Sequence, residues 1–226
     1  MNIAILIPCR NHINPIAVHS WMELTKEFPS RDYKLYMEHR AHVHVARWEL
    51  LRQALDNGAT HLLWLDDDCV IGPGVLSELF RLIEEGAGIA LPVFTTRSFP
   101  VALRFGYATV THDGTTDDKG CPLFRMKTSF ATEIPKEDTP VHMFGFHCLL
   151  MTAEAAKRTI AAANGQSPFQ FVPDADTGFE RYIGEDACFA QLSHVAGVKA
   201  MLAAKRTVGH IGDYIFSGKD FNAGHG

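Results

Sequence analysis

No stretch of this 226-residue chain is apolar for long enough to cross a bilayer, which excludes a membrane-spanning helix. The first eight residues lack a basic lead and are too short for a secretory signal core, so they read as a strand and the chain as cytoplasmic. A basic block is missing too. With a net charge of −5, the electrostatic footprint of a stable nucleic-acid binder is absent. Cys9, Cys69, Cys121, Cys148 and Cys188 are scattered, odd in number and without a close CxxC pair. That pattern argues against a disulfide scaffold or a structural zinc site and for a reducing compartment. There is no internal repeat and no low-complexity block.

What is present is an alternation of two hydrophobic periods. Continuous apolar runs at 3–8, 61–65 and 88–93, with a further strand at 33–38, suit strands, the continuous runs buried on both faces. Between them, 15–28, 45–57 and 75–85 read as helices; Val45, Trp48, Leu51 and Leu55 share one face, and Gly58 closes that helix. Strands alternating with helices imply βαβ units and a mostly parallel sheet with helices on both faces, an α/β domain. From 94 to about 141 the helical period disappears. Short candidate strands at 101–105 and 108–112, with turn signals at Asp113-Gly114 and Lys119-Gly120, predict a smaller antiparallel, loop-rich insert. The chain then returns to a strand at 141–152, a helix at 153–163, a helix at 185–196 and a strand at 198–203. Residues 167–182 read as a mobile substrate-facing loop or as a linker tacked down by its aromatics. The division expected is one domain over 1–212, in halves 1–93 and 94–212, with a flexible tail at 213–226.

Asp66-Asp67-Asp68 stands where the apolar run His61-Leu62-Leu63-Trp64-Leu65 ends. Adjacent carboxylates repel one another, and the carboxyl ends of strands are where ligands sit in open α/β sheets. An oxygen-rich cluster there suits a hard divalent cation, Mg²⁺ or Mn²⁺, carrying substrate phosphates. The competing reading is a solvated acidic turn. Two further elements follow in order: Gly184-Glu185-Asp186 at a helix start, and Val208-Gly209-His210-Ile211-Gly212 after a strand. Alone, Glu185 and Asp186 complement the positive end of their own helix, and His210 is a turn histidine. Together the three make a cation platform, a general base and a nitrogen ligand.

In order and spacing these motifs resemble the GT-A-fold glycosyltransferases, closest in pattern to the family 2 group, over roughly 3–212. Ile5-Leu6-Ile7-Pro8-Cys9-Arg10-Asn11 is similar to the opening strand and loop that contact the donor nucleotide, which implies Pro8, Arg10 and Asn11 as donor contacts. Arg47, in Val45-Ala46-Arg47-Trp48-Glu49, matches the arginine that faces the nucleotide side. Asp66 and Asp68 match the two carboxylates of the DxD signature, with Asp67 between them on the donor side. Gly145-Phe146-His147-Cys148 resembles the acceptor-side strand, with His147 in place of a small residue, so that a different acceptor pocket is expected. Gly184-Glu185-Asp186 resembles the ED motif, and His210 the late metal-binding histidine.

The chemistry implied is metal-dependent transfer of a sugar from a nucleotide-sugar donor to a hydroxyl acceptor: a glycan, a protein, a small molecule or a modified base. Asp66, Asp68 and His210 would hold Mn²⁺ or Mg²⁺ on the diphosphate. Asp186 would take the acceptor proton if the reaction inverts, with Glu185 positioning the acceptor or the helix start. Arg97 is a candidate for the donor phosphates and equally an exposed loop arginine. His39, His42 and His44 form a cluster, and His42-Val43-His44 on a strand would place two imidazoles on one face. Without a nearby cysteine or a third spaced ligand, they read as loop or nucleotide-edge contacts rather than a metal site. A nucleotidyltransferase is the competing enzyme, but Pro8-Cys9-Arg10-Asn11-His12 lacks the glycines of a triphosphate cradle. An inactive nucleotide- or glycan-binding module is the competing non-enzyme.

Overall fold

The structure is a computed structural model and describes residues 1–9, 12–27, 32–39, 42–96, 101–116, 122–173, 182–212 and 215–218. The first half runs β1 (Asn2–Cys9), α1 (Pro15–Glu27), β2 (Asp32–His39), α2 (Val43–Asp56), β3 (His61–Leu65), β4 (Cys69–Val70), α3 (Val75–Glu84) and β5 (Ile89–Val93). An antiparallel part follows, with β6 (Phe105–Thr116), β7 (Pro122–Phe130), β8 (Thr139–Pro140) and β9 (Met143–Phe144). The chain closes through β10 (Cys148–Thr152), α4 (Ala153–Ala162), β11 (Val172–Pro173), β12 (Tyr182–Ile183), α5 (Glu185–Val195), β13 (Ala200–Thr207), β14 (Gly209–Ile211) and β15 (Ile215–Phe216). Among the described residues no helix is long and apolar enough to cross a membrane.

A 7-stranded sheet in the order β2-β1-β3-β10-β5-β13-β8 forms the centre. β1 pairs in parallel with β2 and with β3, and β5 in parallel with β13. β10 enters between β3 and β5 and runs against both; β8 runs against β13. The apolar runs explain this layout. β1 and β5 are buried almost throughout, as strands covered on both faces must be. Edge strand β2 has only partly buried and exposed positions. The core joins Leu6, Leu63 and Trp64 of the sheet to Leu50 and Leu51 of α2 and Phe80 of α3.

Several sequence expectations need amendment. β6 passes straight through Asp113-Gly114, which forms no turn; the pairing with β7 shifts register between His112 and Thr116 instead, so the hairpin tolerates an irregularity in place of ending. The other signal, Lys119-Gly120, lies outside the described residues. Residues 101–104 form no strand; Leu103 makes only an isolated bridge to Thr95. The run at 141–152 breaks into β9 and β10 at Gly145. A Cβ there would stand 3.2 Å from the Phe94 ring and 3.3 Å from Asp186 Oδ2. His42 and His44 lie at the start of α2, not on a strand, so their geometry is that of a helix end. Their rings stand 5.6 Å apart, and His44 meets Phe171 edge-on.

Phe169 is fully buried, stacked on Phe189 at 4.9 Å and edge-on to Phe146 at 5.1 Å. The start of the 167–182 segment is therefore tacked onto the core by its aromatics; 174–181 lie outside the described residues. Within the expected tail, Ile215 and Phe216 pair with Ile211 and His210.

Candidate metal centre and its brace

The turn after β3 is held through its backbone groups by three parts of the chain. Asp66 N–H donates to the His147 carbonyl, and Asn14 N–H donates to the Asp67 carbonyl. Ile211 N–H donates to the Asp68 carbonyl, and the Trp21 indole N–H to the Cys69 carbonyl at 2.9 Å. One turn on, the Glu27 carboxylate of α1 accepts from Gly74 N–H and Ser77 N–H, capping α3 across the helix pair. With its backbone satisfied in this way, the turn presents its carboxylates in a set geometry.

Two imidazoles close on Asp68. β4 pairs with β14 so that His210 lies opposite Cys69, and His210 Nε2 comes 3.3 Å from Asp68 Oδ2. His210 Nδ1 lies 2.8 Å from the Thr95 carbonyl, which can only accept, so Nδ1 carries a proton. β10 pairs with β3 so that Cys148 lies opposite Leu65, which brings His147 to the same corner. His147 Nε2 donates to the Gly209 carbonyl at 3.0 Å, leaving Nδ1 as the lone-pair nitrogen, 3.5 Å from Asp68 Oδ1 and 3.9 Å from Asp66 Oδ2. That Nδ1 is buried and has no hydrogen-bond partner. One atom each of Asp68, His147 and His210 lie within 4.8 Å of one another.

This arrangement fits a divalent metal. Each histidine spends its remote N–H on a backbone carbonyl, the outer bond that orients metal-binding imidazoles. Burial, reinforced by the nearby His210 charge, holds the His147 imidazole neutral, with a pKa pushed down to about 3. At His210, burial opposes the charged form, but the Asp68 hydrogen bond and charge, the Thr95 carbonyl and Asp66 together outweigh it and raise the pKa. Two nitrogens and one carboxylate favour a transition ion such as Mn²⁺ over Mg²⁺.

Asp66 faces a different partner. Arg47 of α2 is 4% exposed and donates from Nη2 to Asp66 Oδ1 at 2.9 Å. Its Nη1 stands 3.6 Å from Glu185 Oε1, and its guanidinium lies 4.8 Å above the Phe146 ring. Burial raises the Asp66 pKa to about 6, with Arg47 opposing the rise and Asp68 adding to it.

No protein-family model matches the chain, and no curated protein matches it by sequence. Solved structures do match. A197 from STIV superposes with a TM-score of 0.58 at 17% identity, over 94% of this chain and 87% of that one. GalNAc-T7, a GT-A-type glycosyltransferase solved with UDP, GalNAc and Mn²⁺, superposes with a TM-score of 0.54 at 14% identity. That match covers 93% of this chain and 44% of GalNAc-T7. The fold is GT-A-like.

In a GT-A-like sheet the Asp66–Asp68 turn stands at the carboxyl end of β3, and the helix start of α5 closes on the same corner. Asp186 Oδ1 accepts from Ala187 N–H at 2.7 Å, and its Oδ2 lies beside the bare Cα of Gly145. The Phe94 ring bordering Gly145 also packs 5.6 Å from the His147 ring. The expected site residues thus fall into groups. Asp68 and His210 meet directly, and Arg47, Asp66 and Glu185 form a chain of charges. Pro8 is buried in β1, and Asp67 is held through its carbonyl by Asn14. Arg10, Asn11 and Arg97 lie outside the described residues. His147 is the residue that sequence reasoning assigned to another purpose: an imidazole at the head of an apolar strand was visible as an oddity, but not its neighbours.

Proposed function

We propose that this chain is a metal-dependent glycosyltransferase that moves a sugar from a nucleotide-sugar donor to a hydroxyl acceptor with inversion. The observation that carries the reading is the corner of Asp68, His147 and His210, with both imidazoles oriented from behind, in a GT-A-like fold. These three residues would hold a divalent ion, with Asp66 Oδ2 beside them. When bound there, the ion supplies positive charge to a departing nucleoside diphosphate. That GalNAc-T7 was crystallised with UDP, GalNAc and Mn²⁺ supports this choice of ligands.

The remaining steps belong to the chain. Asp186 is the general base: the Ala187 N–H pins one of its oxygens, and the other packs beside Gly145, where no Cβ stands in its way. As the acceptor oxygen bonds to the anomeric carbon, its proton passes to Asp186. The bond from that carbon to the diphosphate oxygen breaks, and the diphosphate leaves with the electron pair. Glu185 and Arg47 hold the start of α5 against the Asp66 turn, a positioning task. Pro8, Arg10, Asn11, Asp67 and Arg97 are assigned to donor contacts.

Thermal unfolding against a panel of nucleoside diphosphates, each with and without Mn²⁺, tests the reading. One diphosphate that stabilises only with the metal is expected, by about 2.7 kcal/mol at a hundred times its dissociation constant. No response to any nucleotide with or without metal overturns the reading.

A further inference from the structure

The two edges of the central sheet are built differently. β8 closes one edge with Thr139–Pro140 alone: it is short, and proline offers no N–H to a newcomer. β2 forms the other edge, and all eight of its residues run in unbroken register with β1, from Asn2↔Asp32 to Cys9↔His39. It has no proline and no bulge, and among the described residues no strand pairs with its outer side. It also presents large apolar side chains to solvent, with Leu35 60% and Met37 50% exposed. A long, regular edge with exposed Leu35 and Met37 is a template for another strand whose charges match its Lys34 and Glu38.

We propose that the occupant is a second copy of this chain, its β2 pairing antiparallel with this one about a two-fold axis through Tyr36. The sequence of the strand selects that axis. A two-fold normal to a continuous sheet must pass between a residue and its own mate, so that opposite side chains share a face. Centred on Tyr36, it sets Lys34 against Glu38 of the partner subunit, and Glu38 against Lys34 of the partner subunit, on one face. On the other face Leu35 meets Met37 of the partner subunit, twice over, which covers the exposed apolar side chains. Centring on Leu35 instead sets Asp32 against Glu38 of the partner subunit, a like-charge pair. Of these two axes, only the one at Tyr36 puts unlike charges together while covering both Leu35 and Met37.

Charge exchange at the seam tests the pairing, with the oligomeric state read by analytical ultracentrifugation. The wild-type chain is expected to be a dimer at tens of micromolar. Lys34→Glu places like charges at both ends of the seam and should raise the dimer dissociation constant about tenfold. Glu38→Lys should do the same. The double variant Lys34→Glu with Glu38→Lys restores unlike pairs and should restore the dimer, which a general loss of folding would not do. A wild-type monomer at that concentration, or a dimer indifferent to the single exchanges, overturns the proposal. Neither result bears on the metal corner, which lies elsewhere in the sheet.

Discussion

Asp66 and Asp68 stand two residues apart in one turn, yet they meet opposite surroundings. Asp66 turns inward to the buried guanidinium of Arg47, and Asp68 turns to two imidazoles, each oriented by one ring N–H on a backbone carbonyl. One carboxylate is balanced by the protein itself, and the other lies in a corner suited to a cation from outside. The difference teaches what the brace does. Three adjacent acids would repel, so tying the first to Arg47 relieves part of that repulsion and leaves Asp68 to the imidazoles.

The largest test of this comparison removes the brace. Arg47→Leu leaves Asp66 and Glu185 without their shared cation beneath the turn, and such a loss costs about 3–5 kcal/mol when the remaining charge stays buried. Urea unfolding at neutral pH should show that loss. A change below about 1 kcal/mol would mean that the carboxylates find another counter-charge.

A smaller effect separates the two acids. Asp68→Asn should weaken Mn²⁺ binding about a hundredfold, read as the metal concentration needed to raise the unfolding midpoint, and Asp66→Asn about tenfold. His147→Gln should resemble Asp68→Asn, since its Nδ1 faces the same corner. Equal losses at Asp66 and Asp68 would erase the distinction between brace and ligand.

The smallest effect concerns a second imidazole pair, His142 and His194, whose rings lie 4.4 Å apart. Burial and then the His142 charge lower the His194 pKa. The unfolded chain then takes up this proton more readily than the folded one. The stabilising contribution is complete above the ordinary histidine value and is lost as pH falls through it toward the lowered folded value. His194→Gln should flatten that part of the stability-versus-pH curve, a shallow slope for a half-exposed group. An unchanged slope would place the acid sensitivity elsewhere.

Much of the frame was legible residue by residue. The helices starting at Pro15 and Val75 and the strand His61–Leu65 follow from local apolar period, and Gly58 and Gly86 take up the positive φ that ends α2 and α3. Asp113-Gly114 misled because a turn dipeptide also fits an irregular stretch of a long hairpin. His42 and His44 misled because three residues show no period, and only the following run to Asp56 makes them a helix start. Arg47 was legible as a residue near the site, but its direction was not, since the charges it meets lie in the turn after β3 and on α5.

By itself the sequence determined the βαβ alternation, the buried central strands and the acidic triplet at a strand end. Each of these depends on neighbours within a turn or two. Only the tertiary structure decided which side chains share the corner. The antiparallel entry of β10 beside β3 brings His147 to Asp68, and the pairing of β14 with β4 brings His210 to the same place. Those contacts join parts of the chain far apart in sequence, and pairing between distant strands leaves no periodic trace in either one.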